Sequence, residues 1–87
     1  MTSLGFAIAP AESEGVTVVN VDPDGPAAER GLRRGDQILE VSGIEIAEPD
    51  DVANAIDRAD RKGRKSVLLL VRSGENQRFV AIPLKRV

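Results

Sequence analysis

One stretch decides the fold of this chain: residues 22–43, with the sequence DPDGPAAERGLRRGDQILEVSG. Pro26 suits the first position of a helix, where its missing N–H costs nothing, and Asp24 or Gly25 can serve as the N-cap. Gly31 follows one or two helical turns and predicts a left-handed residue that ends the helix. The first half of the stretch therefore predicts a short helix with defined ends.

The second half of the stretch predicts a strand between two turns. Gly35-Asp36 makes the first turn, and Ser42-Gly43 makes the second. Between them, Gln37 to Val41 alternates polar and apolar residues, with Ile38 directed inward and Val41 as a second inward candidate. Few folds need a short helix, a turn, a strand and a turn in so few residues.

This pattern resembles the central signature of bacterial PDZ domains. The matching residues are Pro26-Ala27-Ala28, Gly31-Leu32, Gly35-Asp36-Gln37-Ile38 and Val41-Ser42-Gly43. Many PDZ domains have Asn where this chain has Ser42, a difference that concerns only a turn. All these residues build the fold, so we expect ligand binding elsewhere.

Length and composition limit the possible functions. A chain of 87 residues indicates one domain, spanning residues 1–87. The chain has no Cys and no His, so it can form neither a disulfide, nor a thiolate metal site, nor a Ser-His or Cys-His catalytic pair. We expect no catalytic residue, no cofactor and no metal site.

The charge pattern bears on partners. The net charge is −2 with both signs interspersed, which is not the basic footprint of a nucleic-acid-binding protein. No apolar run approaches the roughly 20 residues of a membrane span. Asp22 to Gly25 does not match a calcium loop, because Arg33 stands where the bidentate Glu would be. The sequence thus predicts no nucleic-acid partner, no membrane span and no calcium site.

The chain opens with Leu4-Gly5-Phe6-Ala7-Ile8, which predicts a strand. It resembles the carboxylate-binding segment of PDZ domains, usually Gly-Leu-Gly-Phe, with Ser3 where the first Gly is common. Gly in such a loop allows successive N–H groups to converge into a nest that attracts an anion. The resemblance implies that the amides of Leu4, Gly5 and Phe6 bind a peptide's terminal carboxylate.

The rest of the chain supplies a long helix and further strands. The helix starts at Glu48-Pro49-Asp50-Asp51 and ends near Arg61-Lys62-Gly63. Its apolar face is spaced at three and four residues, at Val52, Ala55, Ile56 and Ala59. Further strands are predicted at Val16–Val21, Ile44–Ile46, Ser66–Arg72 and Gln77–Ile82.

The resemblance implies a mainly β, α+β fold. It is a partly open antiparallel β-barrel or sandwich of five to six strands, with one short and one long helix, in the circularly permuted strand order of bacterial PDZ domains. It also implies binding of peptide C-termini or extended unfolded segments by β-augmentation. Peptide-binding residues would be Leu4, Gly5, Phe6, Ala7 and Ile8 on the strand, and Pro49, Ala53 and Ile56 on the helix. The alternative is that the apolar members of this set are pure core, since a pocket wall and a core wall have the same composition.

The resemblance is greatest to the second, C-terminal PDZ domain of HtrA-type (Deg-type) serine proteases. It implies that this domain is a piece of a larger, homo-oligomeric parent protein in the periplasm or cell envelope. The isolated domain would be a monomer. Other envelope proteases and secretion components carry similar signatures and remain alternatives. A second functional hypothesis is an assembly domain that packs against neighbouring domains without binding peptide.

Overall fold

The computed structural model describes residues 5–12 and 14–84 of the chain. Its elements, in order, are β1 (Phe6–Pro10), β2 (Val16–Val21), α1 (Pro26–Glu29), β3 (Gln37–Val41), β4 (Ile44–Glu45), α2 (Pro49–Arg61), β5 (Ser66–Ser73) and β6 (Asn76–Pro83). The predicted mainly β class, with one short and one long helix, is confirmed.

The strands form one antiparallel sheet in the order β1-β2-β3-β5-β6, with β4 paired to β3. Within the described residues, β1 and β6 each pair with a single neighbour, so the sheet does not close on itself. The two-residue turn Gly74-Glu75 connects the longest pair, β5 and β6, and α1 lies in the connection between β2 and β3. The partly open sheet therefore has β1 at one end and β6 at the other.

Helix α1 has the ends that the sequence predicts. Gly25 is the N-cap and Pro26 is the first helical residue. At the other end, the Leu32 N–H donates to the Ala27 carbonyl and the Gly31 N–H donates to the Ala28 carbonyl, both at 3.0 Å. This is the double hydrogen bond of a Schellman ending, and it needs the left-handed φ of 90° that Gly31 adopts.

Strand β3 contains a bulge that the alternating pattern does not show. Ile38 pairs with Val71 and Glu40 pairs with Leu70, which is the next residue along β5. Strand β3 therefore has one extra residue, Leu39, at this point. Because a bulge shifts the alternation by one residue, Ile38 and Val41 are both fully buried although they are three residues apart. The prediction of Ile38 as inward is correct, and the bulge explains why Val41 joins it.

The core lies between the sheet and α2, which packs against β1, β3 and β5. Its members are apolar residues from nearly every element: Phe6, Val16, Val18, Ala27, Leu32, Ile38, Val41, Ile46, Val52, Ala55, Val67, Leu69, Val71, Val80 and Ile82. Helix α2 contributes Val52, Ala55 and Ala59 as its buried stripe, while Ile56 packs against the core from a partly exposed position.

Strand β5 is central in the sheet, as its apolar sequence predicts, but its outer face is partly exposed. Val67, Leu69 and Val71 are fully buried, whereas Leu68 is 45% exposed. On the same face, opposite Leu70, Phe79 of β6 is 64% exposed. The molecule therefore presents an apolar strip on the outside of the β5–β6 hairpin.

Candidate functional site

The candidate site lies along β1, the strand at one of the two ends of the sheet. Within the described residues β1 pairs only with β2, from Phe6 opposite Val21 to Pro10 opposite Val16. Helix α2 packs against β1. The other edge of β1 therefore carries main-chain groups that no described strand pairs, next to a helix that can form the second wall of a groove.

The start of β1 is held in place by the turn before α1. The Asp22 N–H donates to the Gly5 carbonyl at 2.7 Å. A Cβ at Gly5 would lie 3.3 Å from the Gly25 Cα and 3.6 Å from the Pro26 Cδ, and Gly5 has a φ of +84°. Close approach and left-handed geometry both favour glycine here. Leu4, the first residue predicted for the carboxylate loop, lies outside the described residues.

The predicted site residues on β1 differ in burial. The Phe6 side chain is fully buried and belongs to the core cluster. Ala7 and Ile8 are half-buried, and Ile8 packs against the edge of the core. Phe6 thus offers the groove its main chain, while Ile8 also offers side-chain surface.

The predicted residues on α2 lie on one flank of the helix. Pro49, Ala53 and Ile56 are spaced by four and three residues, which places them on one side of an α-helix. Pro49 and Ile56 are half-buried, and Ala53 is exposed. The small side chain of Ala53 leaves room beside the helix between the two larger residues.

The first turn of α2 is fixed by a carboxylate. Asp51 accepts hydrogen bonds from the Ala47 and Glu48 N–H groups, each at 3.0 Å. Both hydrogen bonds lower the pKa of Asp51, because they stabilise its charged form, and the bond from Ala47 has the larger effect. This carboxylate secures the helix end that carries Pro49.

Sequence patterns alone did not reveal the role of Asp36 in supporting α1. Its side chain, 6% exposed, accepts from the Arg33 N–H at 3.0 Å and from the Ser73 hydroxyl at 2.7 Å. Arg78 lies 3.6 Å from the same carboxylate and donates to the Ser73 hydroxyl at 2.7 Å. It also donates to the Gly31 carbonyl at 2.9 Å. The Gly-Asp pair in the sequence signalled a turn, but not a link to the β5–β6 hairpin.

This end of the sheet combines a strand edge that no described strand pairs, a glycine-containing turn and apolar side chains of moderate exposure. Among residues 5–12 and 14–84, no cluster of three or more acidic, His or Cys residues is arranged to hold a metal ion. In the same part of the chain, none of the helices is both long enough and apolar enough to cross a membrane.

An open antiparallel sheet with a free edge strand beside a long helix is the architecture of modules that recognise peptides by strand addition. The model of the PDZ domain family matches residues 2–82, and the chain therefore belongs to the PDZ domain family.

The curated relatives of this PDZ domain include proteins that are named as proteases. The chain is 41% identical over 87 residues to a protein of Brucella suis named probable periplasmic serine endoprotease DegP-like, covering 99% of the chain and 17% of that protein. It is 39% identical over 85 residues to a protein of the same name from Rhizobium meliloti, covering 97% and 17%. The chain thus spans about a sixth of the length of these relatives.

Solved structures show the same fold. The PDZ domain of HtrA3 bound to the phage-derived ligand FGRWV has a TM-score of 0.78 and 22% identity, over 92% of this chain and 81% of that one. The HtrA-type protease AlgW with a decapeptide has a TM-score of 0.75 and 25% identity, over 92% and 27%. These likenesses confirm the PDZ fold and the predicted resemblance to the HtrA group.

Proposed function

We propose that this domain captures peptide C-termini or extended unfolded segments by adding them as a strand to β1. The observation that carries the proposal is the position of β1, at one end of the sheet and against α2. A peptide lying antiparallel to Phe6-Ala7-Ile8 would satisfy main-chain groups on that edge, which gives affinity that depends little on sequence.

The terminal carboxylate would be held by the amides of Leu4, Gly5 and Phe6. Support comes from Gly5, whose φ of +84° and fixed carbonyl suit a nest of converging N–H groups. Since dipoles and not full charges would hold the anion, binding should weaken only mildly as salt rises.

The last side chain of the peptide would pack between Ile8 and Ile56, with Ala53 and Pro49 bordering the groove further along α2. Phe6 would form the floor of this pocket, below residues that are half-buried at present. Burying an aliphatic side chain there should contribute about 1.5–3 kcal/mol. The two similar structures determined with peptides, those of HtrA3 and AlgW, support a peptide as the ligand class.

We further propose that the parent protein is an HtrA-type serine endopeptidase of the periplasm, a homo-oligomer in which this domain recruits or positions substrates without catalysing the cleavage. Support comes from relatives named periplasmic serine endoproteases, of which the chain covers 17%.

The test is a titration of the domain with a peptide ending in a free valine carboxylate and with the same peptide amidated. We expect amidation to weaken binding at least tenfold, or about 1.4 kcal/mol, because the nest loses its anion. Amide shifts should be confined to Gly5–Ile8 and to α2. Equal affinity for both peptides would show that the groove takes internal segments, and no shifts at any concentration would reject peptide capture.

A second candidate is the assembly function, which the apolar outer strip of the β5–β6 hairpin favours. Phe79 is 64% exposed there, and Leu68 is 45% exposed. A neighbouring domain packed on this strip would bury both residues. Phe79→Ser in the full-length parent should then lower its oligomeric state, while peptide binding by the isolated domain should not change.

A further inference from the structure

A cleft of about 360 Å³ lies on the other flank of α2, away from the β1 groove. Its lining combines the end of α2, the β3–β4 turn and β5: Ser42, Ile44, Ala55, Arg58, Ala59, Lys62, Arg64, Ser66 and Leu68. Because an α-helix advances about 100° per residue, Arg58 and Lys62 point roughly opposite to Ala53 and Ile56. The two sites therefore share the helix but not a surface.

The cleft has an apolar interior that is accessible to solvent. Ala55 and Ala59 are buried members of the helix stripe, and their small side chains leave the space open. On the opposite wall, Ile44 is 37% exposed and Leu68 is 45% exposed. Two large aliphatic side chains exposed within one cleft favour an apolar group as part of the ligand.

The rim of the same cleft is cationic. Arg58 lies in the last turn of α2, Lys62 is the C-cap of that helix, and Arg64 follows on the loop to β5. Arg61, which lies between Arg58 and Lys62 in the sequence, is paired with Asp57 at 3.1 Å. Arg58 also lines a neighbouring cavity, whose other charged residues are Glu45 and Asp51, so the surface turns from positive to negative beyond Arg58.

From this combination we infer a second binding site, for an acidic peptide segment that carries an aliphatic side chain. The aliphatic group would enter between Leu68 and Ile44, and the carboxylates would lie towards Lys62, which lines this cleft and not the neighbouring cavity that Glu45 and Asp51 line. Neither a free C-terminus nor strand pairing is needed, so the site is independent of the groove proposed on β1. The chemistry suits an acidic, leucine-containing loop or tail of another protein.

The probe is the peptide acetyl-Glu-Leu-Asp-Leu-Asp-amide, whose blocked C-terminus removes the carboxylate that the β1 loop would bind. Amide shifts should appear at Ile44, Ala59, Lys62 and Leu68. The matched peptide acetyl-Lys-Leu-Lys-Leu-Lys-amide should not bind. Raising the salt from about 0.05 M to about 0.5 M should weaken the acidic peptide several-fold, because surface charges are screened.

Variants separate the cleft from general surface effects. Arg58→Glu with Lys62→Glu should weaken the acidic peptide at least tenfold, and the single Lys62→Gln should give a smaller loss in the same direction. Arg30→Glu with Arg34→Glu is the control, because it reverses two exposed cations that do not line the cleft. Binding of the free-carboxylate peptide to the β1 groove should survive all these changes.

Three results would each overturn the inference. These are equal binding of the acidic and basic peptides, shifts that map to β1, and no shifts at millimolar peptide. A loss of binding in Phe79→Ser that equals or exceeds the loss in Arg58→Glu/Lys62→Glu would place the contact on the outer strip of the β5–β6 hairpin, and would overturn it too.

Discussion

At the scale of single residues, Gly15 carries a constraint that only the folded structure reveals. A Cβ at this position would lie 2.1 Å from the Ile38 carbonyl oxygen, a backbone atom that cannot swing away. Gly63 has nearly the same φ, +75° against +76°, but nothing lies within 4 Å of its Cβ position. The same substitution at Gly15 and at Gly63 therefore separates the free-energy cost of a steric clash from that of backbone strain.

We predict that Gly15→Ala destabilises the domain by about 3 kcal/mol or more, since the clash adds to the left-handed strain. Gly63→Ala should cost only about 1–2 kcal/mol, the strain alone. Urea denaturation of both variants measures the two effects. Similar losses in both variants would mean that the chain around Gly15 yields easily.

The same scale shows why part of the site was predictable and part was not. Periodicity correctly predicted Phe6 and Ile8 on a strand and Ile56 on a helix, because alternation and helical spacing are local. It did not separate Phe6, fully buried, from its half-buried neighbours, because burial depends on which elements close over a residue. The constraint on Gly15 could not be predicted from local sequence, since Ile38 is 23 positions away in the chain.

At the scale of elements, the β3–β4 hairpin contains a residue that is not ideal for its turn. Ser42 has a φ of 51° and is followed by Gly43 with a φ of 80°. Two left-handed residues in a two-residue hairpin turn define the type that prefers Asn-Gly. The sequence predicted the position of this turn correctly, but the positive φ of Ser42 shows that Ser adopts a strained backbone conformation there.

We predict that Ser42→Asn stabilises the domain by about 0.5–1 kcal/mol, because Asn tolerates the left-handed region better than other non-glycine residues. The midpoint of thermal unfolding measures the gain. Ser66→Asn, on an exposed site at the start of β5, is the control and should give no gain. An unchanged midpoint in Ser42→Asn would contradict the strain argument.

The start of α2 is a second element whose stability depends on one group. The hydrogen bonds from Ala47 and Glu48 lower the pKa of Asp51 below its unfolded value, so ionised Asp51 stabilises the fold above that unfolded value. This stabilisation is lost as the pH falls through the lowered, folded pKa.

We predict that Asp51→Asn reduces stability at pH 7 and makes it depend less on pH on the acid side of pH 4. Urea unfolding from pH 2 to 7 measures both effects. Asp50→Asn is the matched control, because it removes an adjacent charge from the same helical turn and neither of the two hydrogen bonds. If the free energy of unfolding falls equally steeply below pH 4 in Asp51→Asn and in wild type, the proposed contribution of Asp51 is ruled out.

At the scale of the whole molecule, the sequence predicted the order of elements but not how distant turns are joined. The apolar run in β5 indicated a central strand, and β5 does lie between β3 and β6. The bulge in β3 and the partly exposed outer face of β5 depend on pairing partners far along the chain. The hydrogen-bond network around Asp36 is non-local for the same reason, because it joins residues up to 47 positions apart.

That network allows a test of how the α1 end and the β5–β6 hairpin stabilise each other. Asp36 accepts from the Ser73 hydroxyl and the Arg33 N–H, and Arg78 bridges Ser73 and the Gly31 carbonyl. We predict that Asp36→Ala costs about 1–3 kcal/mol, because it leaves two part-buried donors, the Arg33 N–H and the Ser73 hydroxyl, without their charged acceptor. Arg78→Ala should cost about 1 kcal/mol, since this side chain is 41% exposed.

The double variant decides whether these groups act together. If they form one network, Asp36→Ala with Arg78→Ala should cost at least 0.5 kcal/mol less than the sum of the single losses. Arg61→Ala provides the reference, because its partner Asp57 lies on the exposed face of α2 and its loss should add to that of Asp36→Ala. Strict additivity between Asp36 and Arg78 would mean that the α1 end and the hairpin are stabilised separately, and that the carboxylate acts only on its own turn.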